Sequence, residues 1–206
     1  MQEVDFVKAI SPFVPIDSIP KLWYFFGNNK VHLKITRDRK TKYGDFRDSV
    51  TKNKLPQISV NGGLNQYSFL ITLLHEIAHY RVYEKYNRSA KPHGIEWKIA
   101  FQQTIAPYIN SEIFPQPLEG VLRQHMQNPR ASTHGDISLL RCLNTYDSKN
   151  INSNITTLEE IRGGEKFAFR GKVFQKREKR RTRFMCIDLD SNRKYTISAL
   201  ATVEIV

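Results

Sequence analysis

Between Asn65 and Asn87 the chain sets Phe69, Leu70, Leu73, Leu74, Ile77 and Ala78 in pairs four apart. Into that apolar series it inserts His75, Glu76 and His79. Recurrence by three and four is the mark of a helix with one wide buried face. Residues 66–86 are therefore read as a long helix at the centre of its domain. Asn65 is its candidate N-cap, and Asn87 the residue that closes it in the left-handed conformation. Three titratable side chains amid so much apolar surface are costly to bury unless something partners them.

Residues four apart share a helical face, so two imidazoles at 75 and 79 can reach one ion. Zinc takes histidine nitrogen at about 2.0–2.1 Å. Glu76 lies one step round the helix, beside such an ion without being forced onto it. That is the place of a base that holds and deprotonates water. The plainer alternative is two satisfied core histidines with Glu76 hydrogen-bonded to one of them. A catalytic zinc also needs a third protein ligand. The remaining histidines are His32, His93, His125 and His134. His93 is best placed, because residues 80–92 finish the helix, turn and bring the chain back along it. Pro92 and Gly94 flank it, as expected where a chain is aimed into a site and a helix begins. The alternative for His93 is an exposed loop histidine.

The rest of the chain supplies a frame of mixed helix and strand. Residues 3–14 and the aromatic cluster Leu22–Phe26 read as helix and core. Residues 31–38 alternate apolar and polar, a half-buried strand with 42–49 and 56–60 as partners. The outer face of that sheet carries Lys34, Arg37, Arg39, Lys40 and Lys42. A second helix is expected near 94–106, ended or kinked by Pro107. Residues 115–135 read as a wandering loop with short helical pieces, and 136–146 as one more short helix. After a polar linker, 147–157, the pattern turns to short strands with polar turns. The expected fold class is α+β, with a small antiparallel sheet and the long helix in residues 1–146. A small antiparallel β unit follows in 158–206.

Charge is unevenly placed. The formal net charge is +12. Residues 30–54 hold nine Lys/Arg against three Asp/Glu, residues 160–206 twelve against six, and the remainder balances. Localised excess points to a polyanion surface, with plain solvated strand faces as the alternative. The densest run contains Lys176, Arg177, Lys179, Arg180, Arg181 and Arg183. No apolar run approaches the roughly 20 residues that cross a bilayer. Two cysteines far apart, Cys142 and Cys186, suit a reducing compartment, and the N-terminus lacks a signal-peptide pattern. The expectation is a cytoplasmic protein.

Thr72-Leu73-Leu74-His75-Glu76-Ile77-Ala78-His79-Tyr80, followed by His93-Gly94-Ile95-Glu96-Trp97-Lys98, resembles the SprT-like zinc metalloprotease family. Ile35-Thr36-Arg37, Tyr43-Gly44-Asp45-Phe46-Arg47 and Ile58-Ser59-Val60-Asn61 are similar to the strands that precede the zinc helix in that family. The likeness covers about residues 20–110. It implies a zincin-like domain with one zinc on His75, His79 and His93 and with Glu76 as catalytic base. Glu96 matches the family's further acidic position, where it supports the His93 turn or simply favours the helix N-terminus.

One departure stands out. Many members continue into a zinc ribbon of paired cysteines, and this chain has no C-x-x-C, so no second zinc is expected. The implied function is cleavage of proteins, in particular DNA-associated or DNA-crosslinked ones, with DNA held on the basic surfaces. The alternatives are a non-catalytic zinc-containing nucleic-acid-binding protein and a general peptidase indifferent to DNA.

Overall fold

The computed structural model describes residues 2–39, 42–48, 55–130, 136–147 and 155–206. The chain forms two compact units, residues 1–146 and 147–206. The first is α+β.

Helices α1 (Glu3–Ile10) and α2 (Ile19–Asn28) open it. Strands β1 (His32–Thr36), β2 (Gly44–Arg47) and β3 (Gln57–Asn61) form a sheet in the order β1-β3-β2. Helices α3 (Gln66–Tyr86), α4 (Ile95–Ile105), α5 (Leu118–Met126) and α6 (Ile137–Asn144) follow.

The sheet is mixed, which corrects the antiparallel one expected. β3 pairs antiparallel with β2 but parallel with β1, His32 opposite Gln57 and Thr36 opposite Asn61. β1 and β2 run in opposite senses with room for one strand between them. Whatever fills that room must run parallel to one of them. Alternation along a strand marks its faces and carries no information about the direction of its neighbour.

α3 is buried along nearly its whole length, from Phe69 to Val82. The Asn65 side chain accepts from the Ser68 amide at 2.9 Å and donates to the Leu143 carbonyl at 3.1 Å. It thus caps the helix and ties its start to α6. Asn87 leaves the helix with positive φ, 52°, but its ψ of −129° lies outside the left-handed helical well. α1 stops at Ile10, four residues short of the expected end. α5 is longer than the short pieces expected, because Leu118 and Leu122, one turn apart, are fully buried. α4 ends at Ile105, two residues before Pro107.

In the second unit β4 (Ile155–Thr157), β5 (Lys166–Phe169), β6 (Lys172–Arg180), β7 (Arg183–Asp188), β8 (Lys194–Ser198) and β9 (Thr202–Ile205) form one antiparallel sheet, ordered β4-β9-β5-β6-β7-β8. β4 occupies the end of the stretch read as linker, and residues 148–154 lie outside the described ones. Phe167, Phe174, Phe184, Cys186 and Ile197 build the core. Tyr195 stays partly exposed and Cys142, in the first unit, is only half-buried. Among the described residues no helix is long and apolar enough to cross a membrane.

Candidate metal centre

His75 and His79 project from one face of α3, and His93 comes from the turn just before α4. The three Nε2 atoms form a triangle: His75–His79 3.2 Å, His79–His93 3.0 Å, His75–His93 3.2 Å. Ligand nitrogens placed tetrahedrally at 2.0–2.1 Å from one ion stand about 3.3 Å apart. Three imidazole nitrogens so close cannot all hydrogen-bond to each other, since each carries a single proton or a single lone pair. Three lone pairs aimed at a common point suit a metal ion, and these residues are close enough together to hold one.

The surroundings keep the imidazoles neutral. Burial holds His75 well below its ordinary value, with His79 and His93 adding to the effect. Burial brings His79 down to about 4, and lowers His93 as well. Neutral imidazole is the form that binds metal. Trp97, itself buried, packs its ring against all three, with centroids at 4.6, 5.5 and 4.8 Å from His75, His79 and His93. Phe101 stacks behind Trp97 and touches His75 edge-on. Their spacing of four along α4 is a helical-face signal that could have been read as the wall of the site.

His93 has φ of 56°, a left-handed backbone that costs a non-glycine residue about 1–3 kcal/mol. The Gly94 amide bonds back to the Lys91 carbonyl at 2.8 Å, closing the turn that holds it there. Glu96 lies in the first turn of α4 with its carboxylate folded against Gly94; a Cβ built at Gly94 would stand 3.1 Å from it.

Glu76 turns toward β2. Its residue is 7% exposed, and its Oε1 lies so close to Gly44 that a Cβ there would be 2.6 Å away. Burial pushes its carboxyl up to about 8, helped by the charge of Asp45 and opposed by Lys42, the Phe46 amide and Arg39. Asp45 is itself paired with Lys42 at 3.1 Å and Arg47 at 2.7 Å. A glycine within a strand often marks such a close approach, and this is the signal at Gly44 that pattern reading passed over. Tyr80 is buried between Phe25 and Phe46 as a packing residue.

The basic residues scatter. Lys34 and Arg37 are exposed, Lys42 is engaged by Asp45, and Lys40 lies outside the described residues. Arg39 is half-buried: its Nε and Nη2 atoms are shut from solvent and make no hydrogen bond among the described residues. In the second unit Arg177, Lys179, Arg180, Arg181 and Arg183 are exposed. Lys176 is the correction. It is 4% exposed, its ammonium donates to the Glu159 and Ile161 carbonyls and it sits 3.9 Å over the Phe184 ring. It faces the core side of β6, opposite Cys186, and cannot reach a phosphate.

Compared with protein-family models, curated proteins and solved structures, the chain matches none. Its function is therefore argued from its own side chains.

Proposed function

We propose that residues 1–146 are a zinc-dependent metallopeptidase and that its substrates are proteins held on DNA. The observation that carries this reading is the convergence of three neutral imidazoles on one point, with a buried carboxyl next in sequence on the same helix. His75, His79 and His93 would hold the ion. Three protein ligands leave a position for water, whereas purely structural zinc usually takes four. Zinc, when bound there, supplies a Lewis acid that acidifies water and polarises a carbonyl.

The chain's own residues do the rest. Glu76 takes a proton from the attacking water and hands it to the departing amine. Its high proton affinity suits the second half of that task, and would be lower for the first if a dication were bound nearby. The Phe46 amide bonds to the carboxyl, which packs close against Gly44, while Trp97 and Phe101 pack against the imidazoles. The resemblance to SprT-like proteases at these positions supports the same assignment. Exposed Lys34 on β1, Arg37 just after it and the exposed cations of the β6–β7 hairpin support a polyanion partner, here DNA.

The test measures zinc content and protein cleavage, with and without DNA, for wild type, Glu76→Gln and His93→Ala. Glu76→Gln should keep one zinc per chain and lose cleavage by about 10²–10⁴-fold. His93→Ala should lose both. Normal cleavage by Glu76→Gln would falsify the mechanism. Cleavage unaffected by DNA would leave a general peptidase, and zinc without any cleavage a non-catalytic zinc protein.

A further inference from the structure

A cavity lies in the first unit, away from the imidazoles. Helical periodicity turns Leu74, Ile77 and Arg81 to the side of α3 roughly opposite His75 and His79. Together with α2, α4 and the turn after α4 they line a half-open cavity of about 460 Å³, within the range of small-molecule sites. The floor is apolar: Phe25, Leu74, Ile77 and the Tyr108 ring, all buried. Lys21, Arg81, Asn29, Gln103 and Thr104 line it too, with Pro20, Tyr24 and Pro107 at its edge, and among the described residues no acidic one contributes.

Two features give this cavity a preference. Lys21 and Arg81 make no ion pair among the described residues. Each is instead set over a floor ring, the Lys21 ammonium 6.0 Å from the Tyr108 centroid and the Arg81 guanidinium 5.8 Å from that of Phe25. Two exposed cations over an apolar floor, neither ion-paired among the described residues, ask for an anion with an apolar body. Two of the uncharged polar groups are engaged, Thr104 donating to the Ala100 carbonyl and Asn29 to that of Phe25, which leaves Gln103 and the Tyr24 hydroxyl at the exposed rim. Little remains for a hydroxyl-rich body such as a sugar or nucleotide, whose polar groups would lose water without compensation. Burial raises the Tyr108 phenol, so it stays neutral and does not compete as an anion.

We infer that this cavity binds a small carboxylate with an acyl or aryl body, its chain on Leu74, Ile77 and Phe25 and its carboxylate against Lys21 and Arg81. Arginine offers the carboxylate a two-pronged contact, and charge-assisted bonds of this kind are the strong ones. The inference stands apart from the peptidase reading, since it uses neither the metal nor Glu76.

Octanoate and its neutral counterpart octanamide serve as probes, titrated calorimetrically into the full-length protein, zinc-loaded and chelator-stripped. Octanoate should bind with a dissociation constant of roughly 100 µM or tighter, equally in both forms. Octanamide should bind at least about tenfold more weakly, and Lys21→Gln and Arg81→Gln should each weaken octanoate about tenfold without moving the melting temperature. Four results overturn the inference. They are no octanoate binding, equal binding of the amide, binding indifferent to both substitutions, and binding lost with the zinc, which would place the carboxylate on the metal.

Discussion

At the scale of single residues, two positions bear tests that separate contact from charge. Gly44 has no room for a side chain, since a Cβ would meet Glu76 Oε1 at 2.6 Å and Thr72 Cγ2 at 2.7 Å. Gly44→Ala must push β2 away from α3 or turn the Glu76 carboxyl. It should destabilise by about 1–3 kcal/mol and depress cleavage, while zinc content stays at the wild-type level. Urea unfolding and metal analysis of one preparation check both halves.

Arg39 is the opposite case. Asn61 clamps its backbone, accepting from the Arg39 amide at 3.2 Å and donating to its carbonyl at 2.9 Å, yet the guanidinium atoms Nε and Nη2 are buried with no hydrogen-bond partner among the described residues. A partly buried guanidinium with unmet donors works against folding. Arg39→Met should therefore leave the urea midpoint unchanged or raise it. A loss above about 2 kcal/mol would show that the guanidinium has an anionic partner in solution.

At the scale of elements, the turn between β7 and β8 is built on Asp188. Its side chain is fully buried, pairs with Lys172 at 2.9 Å and accepts from the amides of Asp190 and Ser191 at 3.0 and 3.4 Å. Lys172 holds the carboxyl down at about 2, against an ordinary 3.8, with the turn amides adding to the effect. A carboxyl whose folded value is depressed contributes stability above its unfolded value and loses it as pH falls toward the folded one. The contribution is complete above about pH 4 and fades between 4 and 2. Unfolding of the C-terminal β-sheet followed against pH should steepen in that window, and Asp188→Asn should flatten it. An acid limb identical in the two proteins would remove Asp188 from the account.

The elements also show where pattern reading succeeds. α3 was legible to within a residue, because its apolar period and its Asn65 cap are both local in sequence. α4 was legible from Gly94 and Pro107. α5 was not, because Leu118 and Leu122 give too short a period to stand out from the polar residues between them. The direction of β1 against β3 was not legible either, since it depends on which gap the third strand fills.

At the scale of the molecule, the excess charge divides by exposure and not by sequence. Arg180, Arg181 and Arg183 stand at the exposed end of the β6–β7 hairpin, while Lys176 in the same run is a core residue. Replacing the three arginines by glutamine should weaken DNA binding and lower the slope of log affinity against log salt by up to about one per lost phosphate contact. Lys176→Met should leave that slope alone and act on folding. Fluorescence anisotropy with a labelled oligonucleotide over a salt series separates the two. Equal slopes for wild type and the triple variant would take the hairpin out of any DNA surface.

What the sequence determined by itself is what repeats locally. His75 and His79 four apart on a buried helix, Glu76 between them, and His93 before a Gly-started helix can all be read from spacing and neighbours. The closeness of the three Nε2 atoms was decided by tertiary structure, which brings the His93 turn back over α3 and packs Trp97 against the imidazoles. So were the contact of Gly44 with Glu76, the burial of Arg39 and Lys176, and the cavity behind α3. The physical reason is the same for each. Periodicity tells a side chain which way it points from its own backbone, but burial, proton affinity and reach depend on what other segments bring to that side.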